Sequence, residues 1–264
     1  MEGIELPTHD SRYNGVMHET PPNSIEVSHL IRTFDGVRAV DDLSFTVATG
    51  SVIALLGGNG AGKTTTLAML LGLLIPDSGA IKILGVDMTR DRYDALPEMN
   101  FSSPYLDLPG RLTVEENLLV YARLYSIQRP KERIAELAQS LDIEQFRKRP
   151  YGSLSAGQKT RVSLAKSLLN QPKVLLLDEP TASLDPDTGD RIRSQLEQYV
   201  AETNATVLLA SHNMPEVERL CDQVLLMRQG QIVNRGTPKQ LLDEYGHSTL
   251  EAVFLDIARS EATA

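Results

Sequence analysis

The feature that most constrains this chain is a glycine-rich segment over residues 57–64, GGNGAGKT, which fits the pattern G-x-x-x-x-G-K-[ST]. It follows SVIALLG, a short apolar run typical of a buried strand, and it precedes a run of good helix formers at roughly 63–73. Glycines let backbone N–H groups turn inward around phosphate oxygens, and the start of the following helix adds a favourable dipole. Because a chance Gly-rich turn rarely lies between a strand and a helix, the segment predicts a phosphate-binding loop (P-loop) that holds a nucleotide.

Two side chains at the end of this segment have the chemistry that nucleotide phosphates need. Lys63 supplies a positive charge on a long, mobile side chain for the outer phosphates. The hydroxyl of Thr64 can be a ligand of Mg²⁺. We therefore expect a nucleotide to bind together with Mg²⁺.

A pair of carboxylates, Asp178 and Glu179, closes a second apolar run at residues 174–177. A carboxylate at the end of a buried strand beside a P-loop is placed to hold Mg²⁺, and its neighbour can polarise an attacking water molecule. By itself such a pair is more often a solvated strand end, but the P-loop earlier in the chain favours the functional interpretation. We expect Asp178 to bind the metal and Glu179 to act as a base.

The first third of the chain predicts strands. SIEVSHLIRTF and RAVDDLSFTV have the pattern of two half-buried strands joined by a turn at Asp35 and Gly36. ILGVDM is predicted as a further short strand. Residues 1–23 combine Pro, Gly, His, Asn and charge without periodicity, so we expect them to form a disordered extension.

The middle of the chain turns helical between about 105 and 170, where Thr113 and Glu116 form a capping-box pattern before one helix. Strands then return as VLLLDEP and ATVLLASH, and residues 187–202 between them have a helical pattern. Strand, helix and strand at this spacing predict a parallel βαβ unit. The stretch QVLLMRQGQIVNRG predicts a hairpin around Gln229 and Gly230.

Composition narrows the class of protein. The chain has 264 residues, of which 41% are apolar and 23% charged, as is usual for globular domains. Its net charge of −9 argues against a nucleic-acid partner.

The single cysteine, Cys221, leaves no intramolecular disulfide possible, and we expect a buried thiol. We find neither a secretory signal nor an apolar stretch long enough to span a membrane, so we expect an intracellular chain that another protein holds at any membrane.

The segment LSAGQKTRVSLAKSLLNQPKVLLLDEPTASLD, residues 154–185, resembles the ATP-binding cassette (ABC) family, whose signature motif LSGGQ is similar to LSAGQ. The order of P-loop, signature, acidic strand, SLD and His also matches, and the resemblance runs from about Ile25 to Ser260. It implies an α/β fold: a P-loop NTPase ABC ATPase core with an antiparallel β subdomain and an inserted helical subdomain. The implied boundaries are an extension at 1–23, one nucleotide-binding domain at 24–248 with the helical insert at about 105–170, and a C-terminal helix and tail at 249–264.

Carried over position by position, the resemblance implies a complete ATP site. Phe34 stands where the family has an aromatic residue that stacks on adenine. Asp178 would hold Mg²⁺, Glu179 would be the catalytic base, and His212 would be the switch histidine that touches the γ-phosphate. The implied P-loop residues are Gly57, Gly58, Asn59, Gly60, Ala61, Gly62, Lys63, Thr64 and Thr65.

The resemblance also implies that the site is shared between two subunits. In the family the signature opens a helix and faces the γ-phosphate that a partner subunit binds, and Ser155 has the pattern of the N-cap of that helix. A head-to-tail dimer, either a homodimer or a pair with another ATPase subunit, would then enclose two ATP molecules. The implied signature residues are Ser155, Ala156, Gly157 and Gln158, and the implied D-loop residues at the dimer interface are Ser183, Leu184 and Asp185.

One departure from the family concerns a Gln that normally lies near the start of the helical insert. Within MNFSSPYLDLPGRLTV, counting back from Leu112 places Pro104 at that position, preceded by Ser102 and Ser103. A Ser hydroxyl can reach Mg²⁺ directly or through water. The expectation of ATP binding is unaffected, whereas the hydrolysis rate and its link to a membrane partner depend on what replaces the Gln.

The ending STLEAVFLDIARS indicates a short amphipathic helix that Ser248 or Thr249 caps, and it is similar to the ending of exporter-type ATPases of the drug, polysaccharide and nodulation-factor group. We therefore predict an ATP-binding and ATP-hydrolysing subunit that powers export. It would act with a separate permease subunit as a peripheral protein on the cytoplasmic face of the membrane. Two alternatives stay open: a soluble ABC-type ATPase, and a regulatory nucleotide switch with weak hydrolysis.

Overall fold

The computed structural model describes residues 22–182 and 184–259, and its architecture rests on two β-sheets. The strands in these ranges are β1 (Asn23–Phe34), β2 (Val37–Ala48), β3 (Val52–Leu56), β4 (Ser78–Ile83), β5 (Val86–Asp87), β6 (Met99–Ser102), β7 (Val174–Asp178), β8 (Thr206–Ser211), β9 (Gln223–Arg228) and β10 (Gln231–Gly236). The helices are α1 (Lys63–Leu70), α2 (Arg92–Ala95), α3 (Val114–Leu124), α4 (Pro130–Ser140), α5 (Ala156–Leu168), α6 (Pro186–Thr203), α7 (Met214–Leu220), α8 (Pro238–Tyr245) and α9 (Leu250–Arg259).

The larger sheet has six strands in the order β10-β9-β3-β8-β7-β6, and all of its pairings are parallel except the one between β9 and β10. Every residue of β7 and β8 is buried, which agrees with strands that are covered on both faces. Because parallel strands end at the same edge of a sheet, the segments that follow β3, β6, β7 and β8 all lie along one edge. That edge is where an α/β sheet of this kind binds its ligands.

The smaller sheet is antiparallel, with the order β2-β1-β4-β5. The predicted hairpin of β1 and β2 is confirmed, and both Asp35 and Gly36 in its turn have positive φ. The prediction of ILGVDM as one strand is wrong, because Leu84 and Gly85 form a turn with φ of 52° and 82° between β4 and β5. Two successive residues with positive φ suit a tight hairpin turn, and SGAIKI is the strand that buries Ile81 and Ile83.

Helices α3, α4 and α5 lie in the chain between β6 and β7, which pair directly in the larger sheet, and the composition of this stretch predicted a helical segment there. The capping box of Thr113 and Glu116 is confirmed at the start of α3, and Ser155 is confirmed as the N-cap of α5, where it forms a second capping box with Gln158. The apolar faces of α3, α4 and α5 contribute Leu118, Ile134 and other buried residues to a core that also includes residues of the larger sheet. These contacts fix the direction in which α5 begins.

The last third of the chain follows the predicted pattern. The β7–α6–β8 unit is parallel, and β9 and β10 form the hairpin around Gln229 and Gly230. At the start of α9 the hydroxyl of Thr249 accepts the N–H of Ala252 at 3.3 Å, and Cys221 is buried as expected. Helices α2, α7 and α8 were not predicted, since each is short and lacks a long apolar stripe.

Some residues to which the sequence predictions apply lie outside the described ranges. These include residues 1–21 of the extension expected at 1–23, whereas Asn23, the last residue of the expected extension, already begins β1. Ser183 and residues 260–264 likewise lie outside the described ranges. Among the helices within 22–182 and 184–259, none combines the length and the hydropathy needed to cross a bilayer.

Candidate functional site

The glycine-rich segment forms a tight loop between β3 and α1. At Gly62, φ is +100°, and a Cβ atom would lie 2.5 Å from the carbonyl oxygen of Ala39, so no larger residue fits. A Cβ at Gly57 would lie 2.5 Å from the carbonyl oxygen of Met227. Asn59 and Gly60 are exposed at the loop tip. A side chain at Gly57 or Gly62 would therefore collide with the neighbouring backbone, so this loop shape requires glycine at both positions.

The first turn of α1 has no side-chain cap, so its leading N–H groups are not taken by a capping side chain. Thr64 is exposed on this turn and Thr65 is half-buried. Lys63 is buried, and its Nζ donates to the carbonyl oxygens of Gly57 at 2.6 Å and Gly58 at 3.1 Å. The lysine side chain thus folds back over its own loop, with its charge inside the cradle.

Electrostatics tie this loop to the carboxylates at the end of β7. Burial lowers the pKa of Lys63, while the charges of Glu179 and Asp178 act in the opposite direction. Burial and the charge of Glu179 raise the pKa of Asp178, while Lys63 and the Ser103 hydroxyl act to lower it. The ammonium of Lys63 and the carboxyl of Asp178 are therefore close enough for each to influence the pKa of the other.

Asp178 and Glu179 adopt different backbone conformations. Asp178 is the last residue of β7 and is 3% exposed, and the Ser103 hydroxyl donates to its Oδ2 at 3.5 Å. Glu179 has a φ of 50°, in the left-handed region, which costs a non-glycine residue on the order of 1 kcal/mol. Its N–H donates to the carbonyl oxygen of Ala210 at 2.8 Å. This turn directs the two neighbouring carboxylates differently, and such strain is typical of functional sites.

His212 follows β8 and meets Glu179 across the sheet edge. Its Nδ1 lies 2.5 Å from Oε1 of Glu179, and its backbone N–H donates to Oε2 at 3.4 Å. The side chain of Glu179 is 11% exposed, whereas that of His212 is 68% exposed. Because an ionised carboxylate can only accept a hydrogen bond, Nδ1 carries the proton in this pair and Nε2 is left facing outward.

Two further residues at this edge were missed by the sequence reasoning. The hydroxyl of Ser211 lies 3.5 Å from Oε2 of Glu179 and 2.8 Å from Oε2 of Glu216. Glu216 was one of several acidic residues in a polar stretch, so nothing in the sequence distinguished it. Ser211 directly precedes His212, and that position was the only available signal.

The two serines that precede the predicted Gln position contact different neighbours. Ser103 contacts Asp178 as described, whereas the Ser102 hydroxyl lies 3.0 Å from the hydroxyl of Ser163 in α5. Both serines are buried, and Pro104 follows them as the chain leaves β6. The sequence left open which of the two serines approaches the acidic pair, and Ser103 is the one that contacts Asp178.

The donors around Asp178 fit Mg²⁺. They are hard oxygen atoms, and Mg²⁺ in nucleotide sites takes only one or two protein ligands beside phosphates and water. Thr64 is exposed on the first turn of α1, and Asp178 is a buried carboxyl that a cation would help to keep ionised. No group of three or more His, Cys, Asp or Glu residues that could hold a metal by itself exists within the described ranges.

The signature lies at a different place from this edge. Ser155 Oγ accepts the N–H of Gln158 at 3.3 Å, and Gln158 Oε1 accepts the N–H of Ser155 at 3.0 Å. Ser155 and Ala156 are exposed, and Gly157 is half-buried. In the described part of the chain, the hydrogen bonds of these residues join them to one another or to the next residues of α5, such as Lys159 and Thr160, and none joins them to the P-loop.

The remaining predicted site residues lie at the ends of other elements. Asp185 is the N-cap of α6 and its Oδ1 accepts the N–H of Thr188 at 3.0 Å, while Leu184 packs half-buried against the core. Phe34 ends β1 with 42% of its surface exposed. The guanidinium of Arg32 lies over its ring at 4.7 Å from the centroid. Arg32 in turn donates to Asp77 at 2.8 Å.

The fold and these contacts define a P-loop nucleotide-binding ATPase. Residues 40–182 match the family profile described as "ABC transporter". The chain is 36% identical over 224 residues to the Nod factor export ATP-binding protein I of Rhizobium sp. (strain N33), covering 84% of this chain and 73% of that protein. It is 34% identical over 250 residues to the daunorubicin/doxorubicin resistance ATP-binding protein DrrA of Streptomyces peucetius, covering 94% and 75%.

A solved structure described as the ATP binding subunit of an ABC transporter has the same fold. It superimposes with a TM-score of 0.81 at 26% identity and covers 89% of this chain and 99% of its own. The chain therefore belongs to the ABC transporter family. It is an ATP-binding subunit that hydrolyses ATP to power transport, and it groups with exporter-type members. These relatives give no support to the alternatives of a soluble ATPase or a regulatory switch.

Proposed function

We propose that this chain powers an export system, in which it dimerises around ATP and drives a separate permease subunit. The observation that carries the proposal is that the two helix ends assigned to phosphate share no hydrogen bond among the described residues. The P-loop, Asp178, Glu179 and His212 meet at one sheet edge, whereas the hydrogen bonds of the signature remain within its own helix start at α5. Such a signature is available to the nucleotide of a second subunit.

The P-loop residues bind and orient the nucleotide. Lys63 exchanges the carbonyl oxygens of Gly57 and Gly58 for phosphate oxygens, while the uncapped first turn of α1 supplies N–H groups. Phe34 offers the ring face opposite Arg32 to the adenine base. Thr64 and Asp178 would hold Mg²⁺, which when bound supplies positive charge that neutralises the phosphates.

Glu179 is the base that accepts a proton from the attacking water, and its ionised form is held by His212. The Nδ1–H of His212 donates to Oε1 of Glu179 and fixes the rotation of the carboxylate. The opposite ring nitrogen, on a largely exposed side chain, would donate to a γ-phosphate oxygen in the doubly protonated ring, because phosphate oxygens only accept hydrogen bonds. In this proposal the base and the γ-phosphate contact follow adjacent strands, β7 and β8.

The partner subunit contributes its signature to the same γ-phosphate. The residues that we assign to this contact are Ser155, Ala156, Gly157 and Gln158, and those that we assign to the dimer interface are Ser183, Leu184 and Asp185. The partner is a second copy of this chain or a paired ATPase subunit. Each ATP then lies between a P-loop and a signature from different chains.

Exposed apolar side chains support a permease contact. Tyr105 and Leu106, in the loop that leaves β6, are 81% and 52% exposed, and Leu124 at the end of α3 is 70% exposed. Apolar surface of this kind suits a protein partner. We propose that the chain lies on the cytoplasmic face of the membrane and reaches it only through the permease, and that its net charge of −9 disfavours nucleic-acid contact. Export is the direction that the names of the relatives indicate.

The shared site is tested with Glu179→Gln, which retains the shape of the side chain but removes the base. We expect the variant to bind ATP, to fail to hydrolyse it, and to accumulate as an ATP-bound dimer in light scattering. Glu202→Gln, an exposed change on α6, serves as the matched control and should stay active. A Glu179→Gln chain that remains monomeric at saturating ATP would count against the shared site.

The permease partnership is tested by co-expression with a membrane protein encoded beside this chain. We expect the two to co-purify in detergent and to accumulate a transported compound in inverted vesicles only when ATP is supplied. Failure to co-purify would contradict the partnership, and uptake into intact cells would contradict export.

A further inference from the structure

Glu216 is a carboxyl group buried without an assigned role. It lies near the start of α7 with 0% of its surface exposed. Its Oε2 lies 2.8 Å from the hydroxyl of Ser211, and its Oε1 has no hydrogen-bond partner among the described residues. An unpartnered oxygen in a fully buried carboxyl is costly, so its retention here calls for a physical reason.

The hydroxyl of Ser211 lies between two carboxyl groups. Besides its 2.8 Å contact with Glu216 it lies 3.5 Å from Oε2 of Glu179, and it accepts the N–H of Asn213 at 3.0 Å. A hydroxyl has one hydrogen, which it can donate to one carboxyl at a time. The protonation of Glu216 therefore decides which carboxyl receives that hydrogen.

The surroundings of Glu216 raise its pKa above the ordinary value of a carboxyl group, which shifts the balance toward the neutral form. Burial raises the pKa of Glu216, the Ser211 and Thr181 hydroxyls lower it, the charge of Glu179 raises it further, and Arg193 acts to lower it. A neutral Glu216 donates its own hydrogen to Ser211 Oγ. The hydrogen of Ser211 is then free to point at Glu179.

We infer that Glu216 is a positioning residue for hydrolysis, which acts through Ser211 to hold the Glu179 carboxylate in the orientation that meets His212. The inference rests on the proposed role of Glu179 as the base. Glu179 then has three supports from the end of β8: the ring of His212 at Oε1, and at Oε2 both the N–H of His212 and the Ser211 hydroxyl backed by Glu216. Such support limits the rotation of a base that must stay aligned with water.

The test compares Glu216→Met with Glu216→Gln in the purified full chain. Met fills the space without hydrogen bonds, and we expect kcat for ATP hydrolysis to fall roughly ten- to a hundredfold because the base loses alignment. Gln can donate to Ser211 Oγ as the neutral acid does, and we expect kcat within about threefold of the unchanged chain. The Kd for ATP should stay within about twofold in both, since the hydrogen bond of Glu216 is to Ser211 and not to a P-loop residue.

A double-mutant cycle tests the route through Ser211. We expect Ser211→Ala to lower kcat as much as Glu216→Met does, and the double variant to be no slower than either single variant. Thr206→Val is the matched control: it removes a fully buried hydroxyl at the other end of β8, which bonds Ser24 at 2.9 Å, and should leave kcat unchanged.

Each outcome decides the inference. Unchanged kcat in Glu216→Met, or losses that simply multiply in the double variant, overturns it. If Glu216→Met does not fold, Ser211→Ala carries the test, and full turnover in that variant overturns the inference equally. If Glu179→Gln abolishes hydrolysis while Ser211→Ala does not lower it, only the role of Glu216 fails; if Glu179→Gln retains turnover, the proposed base itself is wrong.

Discussion

Two helix N-termini in this chain are assigned to phosphate, and they differ in how their N–H groups are satisfied. Helix α1 begins at the P-loop with no side-chain cap, and the nearby Lys63 folds over its own loop carbonyls. Helix α5 begins at the signature with a complete capping box of Ser155 and Gln158. The first end is thus ready for a ligand in the single chain, whereas the second end is satisfied by its own side chains.

The difference indicates an order of events. A helix end without a cap leaves its N–H groups to a ligand and gives up about 1 kcal/mol of helix stability. A capped end must exchange internal hydrogen bonds for phosphate contacts, so its affinity for an isolated anion is low. We therefore expect nucleotide to bind first at α1, and the signature of the partner to add its contacts only when two subunits meet.

The largest effect is expected at the α1 end. Lys63→Ala should weaken ATP binding by about 3 kcal/mol, roughly a hundredfold, because the phosphates lose a charged donor. A titration with fluorescent ATP measures this loss, and Lys239→Ala, an exposed change on α8, is the control. Binding within threefold of the unchanged chain would mean that the cradle is not the nucleotide site.

A substitution at the signature end should lower kcat and leave the affinity of the single chain for ATP unchanged. Ser155→Ala should lower steady-state hydrolysis by about tenfold while the Kd of the single chain for ATP changes less than twofold. Thr113→Ala provides a matched control, because Thr113 forms the same capping box at the start of α3 and is assigned no nucleotide role. An equal loss of kcat in both variants would mean that Ser155 affects hydrolysis only by stabilising its helix.

The two neighbouring serines extend the comparison, since Ser103 serves the carboxylate near α1 and Ser102 contacts α5. Ser103→Ala should raise the Mg²⁺ concentration for half-maximal hydrolysis by roughly fivefold, which corresponds to about 1 kcal/mol for one hydrogen bond. Ser102→Ala should leave that concentration unchanged. The reverse result would assign the metal position to the other serine.

The smallest effect concerns Lys166, a half-buried lysine. Lys166 in α5 donates to Asn100 Oδ1 at 3.2 Å and to the carbonyl oxygen of Phe101 at 2.8 Å, and burial lowers its pKa from 10.5 to about 8. Between these values the unfolded chain binds more protons than the folded chain, so the free energy of unfolding rises with pH. We expect a rise of at most about 1 kcal/mol from pH 8 to 9 that Lys166→Met removes in urea titrations, with Lys131→Met on exposed α4 as control. An equal rise in Lys166→Met would contradict the assignment.

Elements whose signals are local were predictable. The P-loop between β3 and α1, the capping boxes of Thr113 and Ser155, and the parallel β7–α6–β8 unit follow from residues a few positions apart. The strand at ILGVDM was mistaken because Leu84 and Gly85 lie in an apolar context, although their backbone forms a turn. Apolar character by itself does not separate a strand from a tight turn between strands.

The sequence by itself determined the family, the cradle and the acidic pair, because each depends on short spacing and on residue types that few folds tolerate. Only the tertiary structure decided which serine faces Asp178, that Arg32 covers one face of Phe34, and that Glu216 lies behind Ser211 and Glu179. These contacts connect the ends of parallel strands and the helices that follow them. Their partners are set by how the sheet brings distant segments to one edge, which no local pattern records.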